Sequence, residues 1–440
     1  MDEPEQDVLG ADEVVVEQAG LFLGQDQDSP GSICETFEQV NRLHRGVSDV
    51  GGDPGPVPGG CRHPRAPVSA TTWSSVATVY PRLPAREPTP RSRPRRCGFA
   101  VGNPARVLSP VVNVLEQLQL PGLDGHLSRV EGALRLAVAA EDPFLHEVAG
   151  HLVHAGGKRL RPALAVASAL AGGAAVDDDV VQGGVAVELV HLGSLYHDDV
   201  IDQAGSRHRV DSVNARWGNL IAILAGDFLL ARASEIAARL GTEVAGLLAA
   251  TIGSLCAGEV AQLQAAFDTA RSEAAYVRAV EGKTASLFSA SCRIGALVSG
   301  LPREWVDALT GYGRALGVAF QIWDDVRDLV GTEDVLGKPA GHDMVEGTYT
   351  LPVIRTLARP GVGDDLRALL GRPLDAPTRD KARDLILGTD AIESVTVEGR
   401  RWADRADAAL GPLRAGGAPL ETLDGLAGLG HSLFDNLDLG

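Results

Sequence analysis

From about Ser109 to the end of the chain, apolar residues recur at the spacing of an α-helix. Between Leu127 and Ala140, for example, they fall every three or four residues, which places them on one helical face. Gly and Pro separate the periodic segments, and no convincing run of strict apolar and polar alternation lies between them. The pattern predicts an all-α bundle with helices longer than average.

Several long segments carry this pattern. They are Val180 to Val200, Leu220 to Leu240, Glu243 to Leu263, Glu273 to Leu297, Trp305 to Leu329 and Leu366 to Ile386. Hydrophobic residues make up 45% of the 440 residues, which allows a sizeable core, whereas aromatic residues are only 4%. A core with so few aromatic side chains suits closely packed helices better than a β-sandwich.

The first part of the chain has a different composition. Residues 1–107 contain acidic stretches, the segment GGDPGPVPGG and the segment AREPTPRSRPRR, with little sustained apolar periodicity. Such a segment cannot bury enough apolar surface to offset chain entropy. We therefore expect a low-complexity, disordered extension over residues 1–107 and a folded domain over residues 108–440. A basic arm that binds a partner or an anionic membrane is the alternative for the Arg-rich run.

Charge and cysteine content exclude some classes of function. The formal net charge of −18 at pH 7 argues against a nucleic-acid binder, which needs a surplus of Lys and Arg. Five widely spaced cysteines without a CxxC pair indicate free thiols, not a disulfide framework or a zinc site. No signal peptide is recognisable at the start, and apolar runs such as Leu220 to Ala231 are interrupted by Gly226 and Asp227. We expect a cytoplasmic protein without a transmembrane segment.

Two clusters of aspartates carry the strongest chemical signal. The first is Asp198, Asp199 and Asp202, and the second is Asp324, Asp325 and Asp328. Each cluster ends an apolar segment, and its first and last acids are one helical turn apart and face the same way. One such motif is usually a solvated polar face, but two of them after apolar segments favour metal binding. Oxygen ligands without His or Cys favour Mg²⁺, which bridges carboxylates to phosphates.

Cationic residues accompany the acids. The segment GGKRLRP places two glycines before Lys158 and Arg161, so that the backbone can approach a phosphate closely and Arg can supply a planar fork of donors. A charged helix start on the surface is its alternative. The other basic residues near the clusters are Arg207, His208 and Arg209 after the first, Lys338 after the second, and Lys283 beside Thr284. These separated charges predict two anionic substrates, one held by metal and one held directly.

Together these residues resemble those of the trans-polyprenyl diphosphate synthases. The matching segments, in the order of that family, are GGKRLRP, ELVHLGSLYHDDVID, WGNLIAILAGDFLLA, GKTASLF, FQIWDDVRD, LGKPAGHD and TLP. The resemblance implies an isoprenoid synthase bundle around a central active-site cavity, normally as a homodimer. It also implies a catalytic domain over residues 108–440 that condenses isopentenyl diphosphate with an allylic diphosphate. A long-chain product is expected, with geranylgeranyl or farnesyl diphosphate as the alternative.

The resemblance implies a role for each matching residue. Isopentenyl diphosphate is expected to be bound by Lys158, Arg161 and His191, with a contribution from His208. The six aspartates are expected to hold Mg²⁺ against the allylic diphosphate, where Arg207 and Lys338 add charge. Lys283, Thr284 and Gln321 are expected near the developing allylic cation. Taken alone, His191 is equally consistent with a buried core histidine.

Three positions depart from the pattern of the family. Arg207-His208-Arg209 stands where Arg-Arg-Gly is usual, so a weaker, pH-dependent cation occupies a diphosphate-binding position. We expect weaker binding of isopentenyl diphosphate, with partial compensation by Arg209. Thr348 stands where many short-chain members carry Lys, and the final SLFDNLDLG lacks the basic residues common there. No departure removes an expected metal ligand.

One position bears on product length. In the family that the chain resembles, the residue five before the first Asp limits the growing chain, and here it is Gly193. A helix rises about 1.5 Å per residue, so this position lies about 7.5 Å below the metal site. Glycine leaves that path open, which favours a hexa- to decaprenyl product. The alternatives are that Gly193 only allows close helix packing and that Tyr196 or a neighbouring helix forms the floor.

Three other functions stay open on the sequence alone. A class I terpene cyclase shares the fold but does not need GGKRLRP, and its second metal motif normally mixes Asn, Ser and Glu. A metal phosphohydrolase using His197 and Asp198 needs further, separated His ligands. A non-catalytic regulatory subunit of a heteromeric synthase typically loses its acids, although His208 and Arg209 favour that alternative.

Overall fold

The computed structural model describes Leu118, Leu120 and residues 122–208, 210–336, 338–435 and 437. The predicted extension over residues 1–107 lies outside the described residues, as does Arg209.

Helices form almost all of the regular structure in these ranges. Up to the first long loop they are α1 (Leu123–Ala137), α2 (Pro143–Ala155), α3 (Leu160–Ala171) and α4 (Asp178–Ile201). A hairpin follows, in which β1 (Ser206–Arg207) pairs antiparallel with β2 (Val210–Asp211). The next helices are α5 (Val213–Trp217), α6 (Asn219–Leu240), α7 (Thr242–Gln264) and α8 (Glu273–Val280).

The remaining helices complete the bundle. A π-helical turn (Glu281–Ala285) joins α8 to α9 (Ser286–Val298). Then come α10 (Arg303–Val330), α11 (Glu333–Leu336), α12 (His342–Val345), α13 (Leu351–Leu357), α14 (Val362–Leu369), α15 (Ala376–Leu387), α16 (Ala391–Ala409), α17 (Gly411–Ala415) and α18 (Leu420–Asp435). The predicted all-α fold is confirmed, and the short hairpin was missed because two-residue strands are too short to show alternation.

Side chains just before the helices explain where several of them begin. The Asp177 carboxylate accepts a hydrogen bond from the Val180 amide at the start of α4, at 3.1 Å. The Ser272 hydroxyl accepts one from the Ala275 amide at the start of α8, at 3.2 Å. Such caps satisfy amides that have no partner inside the helix. They define the N-terminal ends of the two helices on which the buried residues Glu188 and Tyr276 lie.

The single helix predicted over Leu366 to Ile386 is wrong. The structure divides this segment into α14, which ends at Leu369, and α15, which begins at Ala376. Gly371 in the connection has φ of 82°, in the left-handed region that favours glycine. Pro373, two residues later, lacks an amide hydrogen and restricts the residue before it, so the helix cannot continue.

The core lies between the longest helices. Helix α4 packs along α6, and α10 packs against α9 on one side and α16 on the other. A methyl group added at Gly313 on α10 would lie 2.6 Å from the Phe288 carbonyl oxygen on α9, so glycine is what permits this approach. The hydroxyl of the fully buried Tyr312 donates to the Leu426 carbonyl at 2.6 Å and fixes α10 against α18. This packing places the ends of α4 and α10 at one cavity.

One helix in the described part of the chain is long and apolar enough to cross a membrane. It is α7, whose most apolar window has a mean hydropathy of 1.6 and is 22% buried. This result rests on length and composition alone, and the interrupted apolar runs of the sequence had predicted no such segment. The exposed side of α7 is therefore a surface with few polar groups.

Candidate active site

The two acid clusters meet at one cavity of about 310 Å³. The predicted residues that line it are Asp198, Asp202, Arg207, Lys283, Thr284, Gln321, Asp324 and Asp325. They come from α4, β1, the π-helical turn and α10, which are far apart in the sequence. The predicted central cavity thus collects two aspartates from each cluster and four of the predicted polar or cationic groups around one space, whereas Asp199, Asp328 and Lys338 do not line it.

In the first cluster, the middle acid is already engaged by the protein. Asp199 is fully buried, and its Oδ1 accepts from Arg207 through Nη2 at 2.6 Å and Nε at 2.8 Å. Asp198 and Asp202 flank it and face the cavity. Burial raises the pKa of Asp198 to about 6, with Lys283 opposing the rise and Glu259 and Asp202 adding to it. A cation between these carboxylates would relieve that repulsion.

In the second cluster, neutral donors engage the middle acid. Asp325 is 3% exposed and accepts from the Tyr276 hydroxyl at 2.5 Å and from the Gln321 amide at 2.8 Å. Asp328 lies 3.1 Å from the Lys338 ammonium, and burial raises the pKa of Asp328 to about 6. Asp324 is exposed towards the cavity. The protein groups around the cavity displace water from its carboxylate, which raises the pKa of Asp324 as well, with Arg327 opposing the rise.

The π-helical turn presents Lys283 and Thr284 to the cavity. Gly258 on α7 and Gly282 in the turn touch so closely that a methyl group on Gly282 would lie 2.9 Å from the Ser254 carbonyl oxygen. The Lys283 ammonium lies 2.6 Å from Glu259, and the Thr284 hydroxyl donates to Gln321 at 2.7 Å. A π turn changes the direction of the following side chains, which a uniform helix over Glu273 to Leu297 does not anticipate.

A second cavity of about 570 Å³ collects the predicted cations of the other substrate. Its predicted lining residues are Lys158, Arg161, His191 and His208. The Arg161 guanidinium lies 5.3 Å from the Phe288 ring centre, and burial lowers the pKa of Arg161 to about 10. Burial lowers the pKa of His191 well below its usual range, and nearby Arg161 and His208 add to this effect. Near neutral pH the positive charge of this cavity therefore comes from Lys158 and Arg161.

The turn before α3 directs these two cations. Gly156 has φ of 85°, and Arg159 has φ of 47°. The Arg159 guanidinium donates to Glu131 at 2.9 Å and to Glu188 at 3.0 Å, so its charge is neutralised within the protein. Lys158 projects to 5.7 Å from the Trp323 ring centre, next to the second acid cluster. The surface-helix alternative for GGKRLRP does not describe this arrangement.

Within the described residues, no three side chains of His, Cys, Asp or Glu converge to form a complete metal site. This arrangement fits Mg²⁺, which keeps several waters and binds through one or two carboxylates together with substrate phosphates.

Comparison with known proteins places this site in a family. The pattern of the polyprenyl synthetase family matches residues 142–383. The chain belongs to the polyprenyl synthetase family. The resemblance seen in the sequence motifs is confirmed, and so is the prediction of a prenyltransferase at the level of this family.

Individual relatives agree with this assignment. The chain is 39% identical over 285 residues to heptaprenyl diphosphate synthase component 2 of Geobacillus stearothermophilus, which covers 64% of this chain and 88% of the relative. It is 40% identical over 250 residues to nonaprenyl diphosphate synthase of Mycobacterium tuberculosis, and the match covers 57% of this chain and 75% of that relative. The fold is similar to the structure of polyprenyl synthase from Caulobacter crescentus complexed with calcium and isoprenyl diphosphate. The TM-score is 0.67 and the identity 33%, and the match covers 75% of this chain and 99% of that structure.

Two departures from the polyprenyl synthetase pattern lie at the cavities. His208 lines the second cavity with φ of 50°, and burial and Arg207 lower the pKa of His208. Thr348 lines the first cavity in the place of the lysine found in many short-chain members. Arg209, expected to compensate for His208, lies outside the described residues.

Gly193 faces the neighbouring helix. A methyl group added there would lie 3.1 Å from the Gly226 carbonyl oxygen and 3.2 Å from Leu230, both on α6. Close packing of α4 on α6, the alternative left open above, thus accounts for the glycine. Tyr196 is fully buried and donates to the Val148 carbonyl on α2 at 2.8 Å, away from the residues that line the acidic cavity.

Sequence reasoning missed several polar residues of the site. They are Glu188 in the second cavity and Glu259, Arg271, Tyr276, Asp343 and Glu346 in the first. Asp343 belongs to the motif LGKPAGHD, and Glu188 interrupts an apolar helix, so both carried a signal. Arg271 and Tyr276 carried none, because only the folded chain brings α8 beside α10.

Proposed function

We propose that this polyprenyl synthetase condenses isopentenyl diphosphate with an allylic diphosphate, using divalent cations held between the two acid clusters. The supporting observation is that both clusters line one cavity while Lys158 and Arg161 line another beside it. One diphosphate would bind through metal at the acids, and the other would bind directly to the cations. Calcium and isoprenyl diphosphate in the Caulobacter relative support a divalent cation, and Mg²⁺ is our proposal for this chain.

The metal site combines ligands and supporting residues. Asp198, Asp202 and Asp324 face the cavity and would hold Mg²⁺, which supplies charge to the departing diphosphate when bound. Asp328 stands beside Lys338 at the edge of this group. Asp199 would contribute by fixing Arg207 at the cavity wall.

The protein side chains would then act on charge that develops during the reaction. Arg207, Lys283 and Lys338 would stabilise the leaving diphosphate, since donors fixed in advance lose little energy in reorganising. The Lys283 ammonium would leave Glu259 for the diphosphate. Thr284 and Gln321, joined at 2.7 Å, would face the allylic cation with their oxygen atoms. The surrounding apolar helices would keep water away from that cation.

We propose a long-chain product. The heptaprenyl and nonaprenyl synthases named above are similar to this chain over most of their own length. Geranylgeranyl or farnesyl diphosphate is the alternative product.

We further propose that residues 108–440 form the catalytic domain of a cytoplasmic homodimer. Apolar side chains on the adjacent helices α6 and α7 are exposed, with values of 70% for Leu220, 54% for Leu224 and 52% for Val260. Such a surface is typical of an interface between subunits. The name "component 2" of the Geobacillus relative favours one alternative, a heteromeric synthase in which a second protein covers this surface.

A product assay tests the proposed function. Purified protein is incubated with Mg²⁺, labelled isopentenyl diphosphate and either farnesyl or geranylgeranyl diphosphate, and the dephosphorylated products are separated by length. A ladder that ends at a long polyprenol is the expected result. Products that stop at geranylgeranyl length would contradict the long-chain proposal alone. Folded protein without Mg²⁺-dependent extension of any primer would contradict the catalytic proposal and favour a regulatory subunit.

A further inference from the structure

Asp325 is held by a buried string of hydrogen bonds. The Thr284 hydroxyl donates to Gln321, the Gln321 amide donates to Asp325 Oδ1 at 2.8 Å, and the Tyr276 hydroxyl donates to Asp325 Oδ2 at 2.5 Å. Both carboxylate oxygens of Asp325 therefore have protein donors. This string connects α8 to the polar groups that Thr284 and Gln321 present at the cavity wall.

Arg271 lies over the ring of Tyr276, the residue at the far end of these hydrogen bonds. It is 7% exposed, its guanidinium carbon lies 5.6 Å from the Tyr276 ring centre, and its Nη1 donates to the Tyr349 carbonyl at 3.1 Å. In the described part of the chain, its Nε has no hydrogen-bond partner, and the carboxylates of Asp325 and Asp268 act on the guanidinium by charge alone, without a direct ion pair. Arg271 and Tyr276 both line the acidic cavity.

A buried guanidinium without an acid partner is costly. Packing alone does not explain it, because an uncharged side chain of similar length would fill the same space. The arrangement is explained if the charge acts on the face of Tyr276, since a cation near an aromatic ring is attracted by its π electrons. Tyr276 is then fixed from one side by Arg271 and from the other by Asp325.

We propose that Arg271 and Tyr276 are positioning residues of this synthase, which hold Asp325 and through it Gln321 and Thr284 in the orientation that the reaction requires. The inference rests on the proposed function of the site. It assigns Asp325 to the support of the cavity wall and leaves metal binding at the second cluster chiefly to Asp324, which lines the cavity. Neither Arg271 nor Tyr276 has to touch the substrate for this role.

The test compares Tyr276→Phe, Arg271→Met, Arg271→Lys, Asp325→Asn and the double variant Tyr276→Phe/Asp325→Asn in the full-length protein. Arg278→Met is the matched control, because Arg278 lies on the same helix and is exposed. Three quantities are measured for each: the Kd of inorganic diphosphate with Mg²⁺ by calorimetry, kcat and KM for condensation, and the thermal midpoint of unfolding.

We expect Tyr276→Phe and Arg271→Met to lower kcat about tenfold to a hundredfold, the range for loss of one hydrogen bond to a charged group. The KM for isopentenyl diphosphate should stay unchanged, because that substrate binds in the other cavity. The affinity for Mg²⁺-diphosphate should weaken about threefold to tenfold in the same two variants. Arg271→Lys should recover most of the loss in kcat and in affinity, and Arg278→Met should match the wild type. The double variant should be no worse than Asp325→Asn, because both changes remove the same contact.

Several results would overturn the positioning role. They are wild-type kcat and Kd in both single variants, losses that multiply in the double variant, and a lower thermal midpoint with kcat and Kd unchanged. In each case the wild-type enzyme still binds Mg²⁺-diphosphate and extends a primer. Wild-type protein that does neither contradicts the proposed function and, with it, this inference.

Discussion

The two acid clusters have the same spacing in the sequence but different electrostatic surroundings in the fold. In the first, the middle acid Asp199 is neutralised directly by Arg207, 2.6 Å away. In the second, the middle acid Asp325 accepts hydrogen bonds from the neutral donors Tyr276 and Gln321 and makes no direct ion pair with any described residue. The nearest cation of the second cluster, Lys338, instead pairs with the last acid, Asp328. A repeated motif therefore does not imply repeated roles, because each position acquires its own partners.

The largest expected effect tests whether both clusters serve one ligand. Asp198→Asn and Asp324→Asn should each lower kcat about a hundredfold to a thousandfold, because each removes charge stabilisation of one leaving group. Asp365→Asn, at an exposed acid of α14, is the control and should be neutral. Steady-state rates of condensation measure this. Retention of near wild-type kcat by either cluster variant would show that the two clusters do not share the reaction.

The next effect separates the clusters by stability. Arg207→Met leaves the fully buried Asp199 without its counter-charge and should cost about 3 kcal/mol of unfolding free energy. Lys338→Met also leaves a buried carboxylate, Asp328, without its cation, but because Lys338 is 42% exposed and screened by water, the loss should be smaller, about 1 to 2 kcal/mol. Denaturant unfolding of the metal-free proteins gives both values. Equal losses would mean that the two clusters are compensated in the same way.

A smaller effect depends on pH. Burial raises the pKa of Asp198 to about 6, above its unfolded value of about 4. The folded state thus binds this proton more tightly than the unfolded state. The free energy of unfolding therefore falls as the pH rises from about 4 to about 6, and the loss is complete above about 6. Metal-free Asp198→Asn should melt only slightly higher than the wild type near pH 4.5, where the loss begins, and a few degrees higher at pH 7.5, where it is complete. If this difference in melting temperature shrank as the pH rose, the raised pKa of Asp198 would be contradicted. Saturating Mg²⁺ should reduce the difference at every pH.

The smallest effect concerns the second cavity. Because burial and Arg207 lower the pKa of His208, this residue is mostly neutral near pH 7, whereas His208→Arg adds a permanent charge. The KM for isopentenyl diphosphate should fall about threefold, with kcat and the KM for the allylic primer unchanged. His208→Gln serves as the uncharged control and should resemble the wild type at pH 7.5. An unchanged KM in His208→Arg would place residue 208 outside the path of the diphosphate.

The sequence predicted the parts of the structure that depend on local pattern. The boundaries of α4, α6 and α7 agree with their apolar periodicity to within two residues, and the acids at the end of α4 reach the cavity as their spacing implied. The interruption between α14 and α15 was missed, although Gly371 and Pro373 signalled it. Periodicity was there given more weight than the residues that end helices.

Other features depend on contacts between distant segments. Nothing in the sequence distinguishes Asp199 from Asp325, because their different partners come from β1 and α8. In the sequence, Arg271 is an isolated basic residue between two helices. Only the fold shows that it is buried near Tyr276. Gly193 was interpreted as favouring an open path for a product, whereas in the fold it faces α6, where an added methyl group would lie 3.1 Å from the Gly226 carbonyl oxygen. Local rules do not give such distances between helices.

The central claim is that one metal-bound diphosphate lies between the two clusters. Calorimetric titration of inorganic diphosphate into the full-length protein, with and without Mg²⁺, tests it most directly when wild type is compared with Asp198→Asn and Asp324→Asn. We expect the wild type to bind diphosphate only with Mg²⁺, and each variant to have a Kd at least tenfold weaker. Metal-independent binding of equal strength, or a variant of either cluster with the wild-type Kd, would contradict the claim.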